Sequence, residues 1–271
     1  MQSVKKISSL QNPLIRKVIQ LKHKNRERDK TGLFVLEGQR ELSMAILGGY
    51  RIDTVLVYPE LFPVLEAIQM LVGQSANIEI IEISKEVYQK LAYREKTEGV
   101  LAIAKTKDHS LDSLVLPKDP LILVAEAVEK PGNLGALLRT ADAARLDAVI
   151  IADPKGDLYN PNTIRSSVGC LFTVPMAAAS TSEVLAFLEQ HRIRVFAATL
   201  TGAIPYTEAN YTGGCAIAVG TESTGLSEEW ANRAHARVVI PMEGQIDSMN
   251  VSVSAAILIF EAKRQLSSPA L

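Results

Sequence analysis

The chain has 271 residues, 47% of them apolar and 22% charged, which suits one large or two ordinary soluble domains. Its apolar runs fall short of membrane-spanning length, its first residues lack a secretion signal's apolar stretch, and its two cysteines and four histidines show no ligand spacing; a membrane span, a disulfide framework and a metal site are all disfavoured, and a cytoplasmic location is expected. The net charge of −1 hides an asymmetry: residues 1–40 carry ten Lys/Arg against three acids, while residues 120–271 carry eleven against fifteen.

In chain order, residues 13–29 read as helical and end in the basic run Lys22-His23-Lys24-Asn25-Arg26-Glu27-Arg28. Clustered cations on a mildly acidic body suggest contact with a polyanion, although the same run suits a solvated helix end. Strands are then expected at Leu33–Glu37, Thr54–Tyr58, Ile78–Ile83 and Val100–Ala104, with helices at Arg40–Leu47, Leu61–Val72 and Lys85–Tyr93 between them. Leu111 to Pro120, with two prolines, breaks the rhythm. The expected organisation is a first domain over 1–106, a linker over 107–119 and a second domain over 120–271.

The second domain alternates again. Strands are expected at Leu121–Ala125, Val149–Ala152, Leu171–Val174, Val195–Ala198, Ala216–Val219 and Val238–Ile240, with a closing helix at Ser252–Leu266 that is apolar almost all round from Val253 to Phe260. Six strands with helical crossovers favour an α/β fold, a mostly parallel sheet with helices on both faces. Ligands of such sheets bind at the carboxyl edge.

Three polar constellations fall at that edge. Lys130-Pro131-Gly132-Asn133-Leu134-Gly135 opens a helix in which Asn133 is placed to cap, and Arg139 follows nearly two turns on, in apolar company that makes an unpaired guanidinium costly unless an anion meets it. Gly220-Thr221-Glu222-Ser223-Thr224-Gly225 lacks the lysine of a P-loop, and no GxGxxG follows the first strand of this domain, so a nucleoside triphosphate or dinucleotide is disfavoured. Gly220 permits close backbone approach to a flat ligand, Gly225 can take a positive φ, and Ser227 can cap the next helix. In Ile240-Pro241-Met242-Glu243-Gly244 and Ser248-Met249-Asn250-Val251-Ser252, the residues Ser248, Asn250 and Ser252 cannot all cap one helix, so at least one points into a site or satisfies an irregular loop.

Taken together these residues resemble the SpoU/TrmH-type ribose 2′-O-methyltransferases of the SPOUT superfamily. The first motif is matched at Asn133 and Arg139, the second at Gly220, Glu222, Gly225 and Leu226, and the third from Ile240 to Val253, with Met249 where leucine is usual and Ser254 where alanine is. Tyr159-Asn160-Pro161 and Arg165-Ser166-Ser167-Val168-Gly169 are also family-like. The first half resembles, more weakly, the L30e-like RNA-binding domain that precedes many of these enzymes.

The resemblance implies a deep trefoil knot in the second domain, a homodimer, and S-adenosylmethionine held near Thr199, Leu200, Gly220, Ile240, Met242 and Met249. It implies methyl transfer to a ribose 2′-hydroxyl in structured RNA, ribosomal rather than transfer RNA. Arg139 would bind the phosphate beside the target ribose and assist deprotonation, or leave that step to the phosphate; Asn133 would position Arg139 or the ribose. Glu222 and Asn250 would order the site, and Ser248 and Ser252 would support the knot loop. Lys22, Lys24, Arg26, Arg28 and Arg165 are the RNA-contact candidates. The rival readings are a non-catalytic RNA-binding or ribosome-assembly protein on the same scaffold, a base methylase, and a transfer RNA methyltransferase.

Overall fold

The computed structural model describes residues 4–74, 77–93, 98–221, 223–246 and 248–267. The chain divides into two compact units, one built from residues 1–107 and 157–173, the other from 108–156 and 174–271.

The first unit holds β1 (Lys5–Ile7), α1 (Pro13–His23), α2 (Asn25–Thr31), β2 (Leu33–Glu37), α3 (Gln39–Leu47), β3 (Ile52–Val57), α4 (Val64–Met70), β4 (Glu79–Ile83), α5 (Lys85–Leu91) and β5 (Val100–Lys105). The strands form a mixed sheet of order β1-β4-β3-β5-β2, with β5 antiparallel to both neighbours. Helix α1 starts cleanly because the Asn12 side chain accepts from the Leu14 N–H and Pro13 occupies the first turn. Its Ile15, Val18 and Leu21, spaced as one helical face, bury against Val35, Leu56, Ile81 and Ile103 of the sheet. Each such side chain contributes about 1.5–3 kcal/mol of burial. The single helix expected over 13–29 is two: Lys24 adopts an extended backbone between α1 and α2, and Gly32, at φ 61°, closes α2.

The second unit holds β6 (Leu121–Glu126), α6 (Pro131–Ala143) and β7 (Ala148–Ala152). The chain then contributes α7 (Pro161–Ser166) and α8 (Cys170–Thr173) to the first unit. It returns with β8 (Met176–Ala179), α9 (Thr181–Gln190), β9 (Arg194–Ala198), β10 (Ile204–Pro205), β11 (Cys215–Val219), α10 (Glu228–Arg233), β12 (Ala236–Val239) and α11 (Val251–Ser267). Every pairing in this seven-stranded sheet is parallel, in the order β10-β12-β9-β11-β6-β7-β8. Strands β6, β7 and β11 are buried along their whole length, hence sequences that are apolar throughout apart from Glu126 at the end of β6. Val184, Leu188 and Trp230 cover one face of the sheet; α11 packs on β11 and α6 through Ala255, Leu258, Ile259 and Ala262. No helix among the described residues is long and apolar enough to cross a membrane.

One expectation needs correcting. Residues 171–174 are not a strand: 170–173 form the short helix α8, and the sheet strand is the alanine-rich segment 176–179. The reason lies in the preceding turn, where Val168 and Gly169 both take positive φ, and in Phe172, which stacks 5.7 Å from Phe34 in the first unit. Residues 157–173 group with the first unit. Tyr159 stacks 4.4 Å from Phe34, shares a 3.2 Å hydrogen bond with Tyr50, and holds 157–173 to the first unit. Within the expected linker, Leu111, Leu114 and Leu116 pack against the core of the second unit.

Candidate active site

Strand order places the site. From β6 the chain steps outward to β7 and β8, then crosses to β9 on the opposite side, and β11 later fills the gap between β9 and β6. The carboxyl ends of strands beside such a reversal are where open α/β sheets bind ligands. Here the segments leaving β9, β11 and β12 enclose a cavity of about 750 Å³, within the range of small-molecule sites. Thr199, Leu200, Gly220, Ile240, Met242 and Met249, the six cofactor candidates, all line it, as do Thr221, Leu226, Ser248 and Val251.

Its walls are built by local hydrogen bonding. The Thr199 N–H donates to the Val238 carbonyl at 3.0 Å, tying the exit of β9 to β12. After β11, Thr221 and Gly225 exchange backbone bonds of 3.2 and 3.0 Å, and the Thr224 N–H donates to the Thr221 hydroxyl at 3.1 Å. This closed turn requires φ 68° at Gly225. It also lies hard against Gly220, where an added Cβ would stand 2.1–2.2 Å from backbone atoms of Gly225 and Leu226. The missing Cβ of Gly220 therefore leaves room for the returning chain.

Beneath this turn lies a residue that motif reasoning missed. Glu126, at the carboxyl end of β6 and only 6% exposed, accepts from the Ser227 N–H and Oγ, each at 2.7 Å, and from the Thr181 hydroxyl at 3.1 Å. Ser227 sits at the cap position of α10, yet its hydroxyl serves Glu126 and makes no capping bond. The available signal was an acid ending an otherwise apolar strand, Leu121-Ile122-Leu123-Val124-Ala125-Glu126. Burial pushes the Cys215 thiol on β11 up to about 12, so it is an inert core group.

The first and third motifs meet. Asn133 does not cap α6: Lys130 occupies that position, and Asn133 lies within the first turn. Its side-chain oxygen instead accepts from the Asn250 amide at 3.2 Å. The Asn250 oxygen in turn accepts from the Ser252 N–H at 3.0 Å and from its hydroxyl at 2.5 Å, ordering the entry to α11. Arg139 is exposed on α6 and makes no hydrogen bond or ion pair among the described residues. Glu222 lies outside the described residues.

The basic run divides. Lys24 and Arg26 are exposed. Lys22 and Arg28 are not free to meet a polyanion: both are buried, Lys22 donating to the Leu91 carbonyl and Arg28 to the Asp157 carboxylate and the Leu21 carbonyl. Arg165 is exposed on α7, in the first unit.

An all-parallel α/β sheet with a small-molecule cavity at its topological reversal defines a ligand-binding or catalytic domain of the doubly wound class. Residues 120–260 match the SpoU rRNA Methylase family and residues 12–102 the MRM3-like substrate binding domain, and the chain belongs to that methylase family. It is 27% identical to the 23S rRNA (guanosine(2553)-2′-O)-methyltransferase RlmP of Bacillus subtilis over 96% of this chain and all of that one. Among solved structures, an RNA 2′-O ribose methyltransferase is 42% identical with a TM-score of 0.81, covering 96% of this chain and 98% of that one. The AdoMet-bound rRNA methyltransferase from Sinorhizobium meliloti is 29% identical with a TM-score of 0.88, covering 98% and 99%.

Proposed function

We propose that this protein transfers a methyl group from S-adenosylmethionine to a ribose 2′-hydroxyl of ribosomal RNA. The observation that carries the reading is the convergence of six family-implied cofactor positions on one cavity of about 750 Å³ at the sheet reversal. The lining fits the group: Ile240, Met242, Met249 and Leu226 offer apolar walls, while the backbone at Leu200–Thr201 and Gly220 offers polar partners to an adenosine and an amino-acid moiety. When bound, S-adenosylmethionine supplies an activated methyl on a sulfonium.

The protein then has to orient the acceptor and help remove its proton. Arg139, exposed and without a carboxylate partner among the described residues, is available to a backbone phosphate and would hold the target ribose. A guanidinium is too basic to be an ordinary base near neutral pH, so Arg139 acts by drawing the phosphate and hydroxyl into place. Asn133 and Asn250, joined across the two motifs, fix α6 relative to the Ser248–Ser252 loop. Glu222 is assigned to ordering the second motif. In this reading the C-terminal segment forms a trefoil knot, the protein acts as a homodimer, and the half-exposed Val253 and Phe260 of α11 contribute to the dimer face. Lys24, Arg26 and Arg165 contact RNA.

The test is incubation of the full chain with S-adenosylmethionine and unmodified ribosomal RNA, followed by digestion to nucleosides. A 2′-O-methylnucleoside is the expected product; methylation on a base, or none, would refute the reading.

A further inference from the structure

A second cavity, of about 340 Å³, lies wholly within the first unit and belongs to none of the three motifs. Its wall is one aromatic ring, Tyr93, together with apolar side chains such as Ile164 and Val168. Val168 holds φ 55°, a costly backbone for a β-branched residue. The Lys22 ammonium lies 4.0 Å from the Tyr93 ring centroid and the Arg165 guanidinium carbon 5.7 Å from it.

Charge compensation here is uneven. Glu37 accepts the Tyr93 N–H at 2.9 and 3.1 Å and also acts electrostatically on Lys22, which is spent on the Leu91 carbonyl. Glu98 accepts the Gln39 N–H at 2.5 Å. Among the described residues, Arg165 bonds only the neutral Asn162 side chain, at 2.8 Å, and Arg40 makes no hydrogen bond or ion pair. Both are exposed. Two guanidiniums that make no ion pair among the described residues, beside an aromatic face, suit a flat ring joined to an anion. Glu37, Glu41 and Glu98 also line the cavity and weaken its field for a bare anion, so a base-bearing ligand is favoured over inorganic phosphate. The volume is that of a single nucleotide rather than a helix.

We infer that this pocket receives one unpaired nucleotide of the RNA substrate, its base on Tyr93 and its phosphate on Arg40 and Arg165. The inference rests on RNA being the substrate, and adds that the first unit grips a looped-out or single-stranded nucleotide rather than a duplex surface.

The experiment is fluorescence anisotropy of the full chain with a 5′-labelled single-stranded 12-nucleotide RNA and with the matching duplex. Loss of one stacked base corresponds to roughly 5- to 150-fold in affinity. Tyr93→Ala should therefore weaken single-strand binding by at least about 5-fold, Tyr93→Phe should restore it, and Arg40→Ala with Arg165→Ala should weaken it and flatten its salt dependence. Duplex binding should change by less than single-strand binding. Wild-type single-strand affinity in both Tyr93→Ala and the double arginine variant would overturn the inference. So would adenosine monophosphate binding more tightly than the RNA, which would assign the site to free nucleotides. S-adenosylmethionine titrated calorimetrically into the wild type separates the two failures, because its cavity is in the other unit: absent cofactor binding sinks the methyltransferase reading and leaves the RNA series to decide this pocket.

Discussion

The side chains of Asn133 and Asn250, 117 positions apart in the chain, share a 3.2 Å hydrogen bond that couples the first turn of α6 to the entry of α11. If this bond positions the acceptor side of the site, its two ends act as one unit. Asn133→Ala and Asn250→Ala should each slow methyl transfer, and the double variant should be less impaired than the product of the two by roughly 2- to 12-fold, the worth of one net hydrogen bond. Asn250→Ala should be the more damaging single change, because it also releases Ser252. Single-turnover rates for the four proteins give the cycle; strictly multiplicative losses would uncouple the pair.

Glu126 anchors the turn that walls the cofactor cavity, its buried carboxylate accepting both Ser227 donors and sharing the Thr181 hydroxyl with Asp153. Glu126→Ala removes the acceptor of the Ser227 N–H and hydroxyl, while the Thr181 hydroxyl keeps the Asp153 carboxylate at 2.8 Å, and should cost roughly 1–3 kcal/mol of stability by urea unfolding. Glu126→Gln keeps a carbonyl acceptor and should cost less. Calorimetry should show weaker S-adenosylmethionine binding by Glu126→Gln at a temperature where it is fully folded.

Gly220 and Gly225 are separable. A methyl at Gly220 collides with backbone atoms 2.1–2.2 Å away, whereas at Gly225 it meets nothing within 4 Å and bears only the φ 68° strain. Gly225→Ala should cost about 1–2 kcal/mol, the left-handed penalty for an L-residue. Gly220→Ala must displace the turn and should weaken cofactor binding more than Gly225→Ala does. Equal effects in calorimetric titrations would contradict this assignment.

Among the N-terminal cations, exposure decides the role. Lys24→Gln with Arg26→Gln should reduce RNA affinity and lower the slope of log affinity against log salt by about 1–2, one per lost phosphate contact. Arg28→Ala, by contrast, leaves the Asp157 carboxylate without its cation, the Asp157 side chain being only 10% exposed, and should cost roughly 3–5 kcal/mol in unfolding experiments.

Legibility in the sequence followed periodicity and failed where tertiary contacts override it. Strands such as Leu33–Glu37 and Leu121–Glu126 are apolar runs opened after Gly32 or Pro120 and closed by a glutamate, and the structure places both within a residue of the sequence-based bounds. Leu171–Val174 has the same look, but Val168 and Gly169 turn the chain and Phe172 joins the Phe34–Tyr159 cluster, so the run becomes a helical turn; Met176–Ala179 carries too little β-propensity to announce itself. Four of the cavity's six lining candidates, Gly220, Ile240, Met242 and Met249, lie in the motifs, whereas Thr199 and Leu200 came only with the family resemblance. Glu126 and the Asn133–Asn250 bond were not legible, because each joins residues more than a hundred positions apart, which spacing cannot reveal. Charge counting alone could not tell the buried Lys22 and Arg28 from the exposed Lys24 and Arg26.

Arg139 is the residue on which methyl transfer turns. Wild type and Arg139→Ala should be compared by nucleoside mass spectrometry of ribosomal RNA after reaction, with S-adenosylmethionine affinity measured alongside. Retained cofactor binding with 2′-O-methylation lost in Arg139→Ala is the expected result; undiminished 2′-O-methylation by that variant would contradict it.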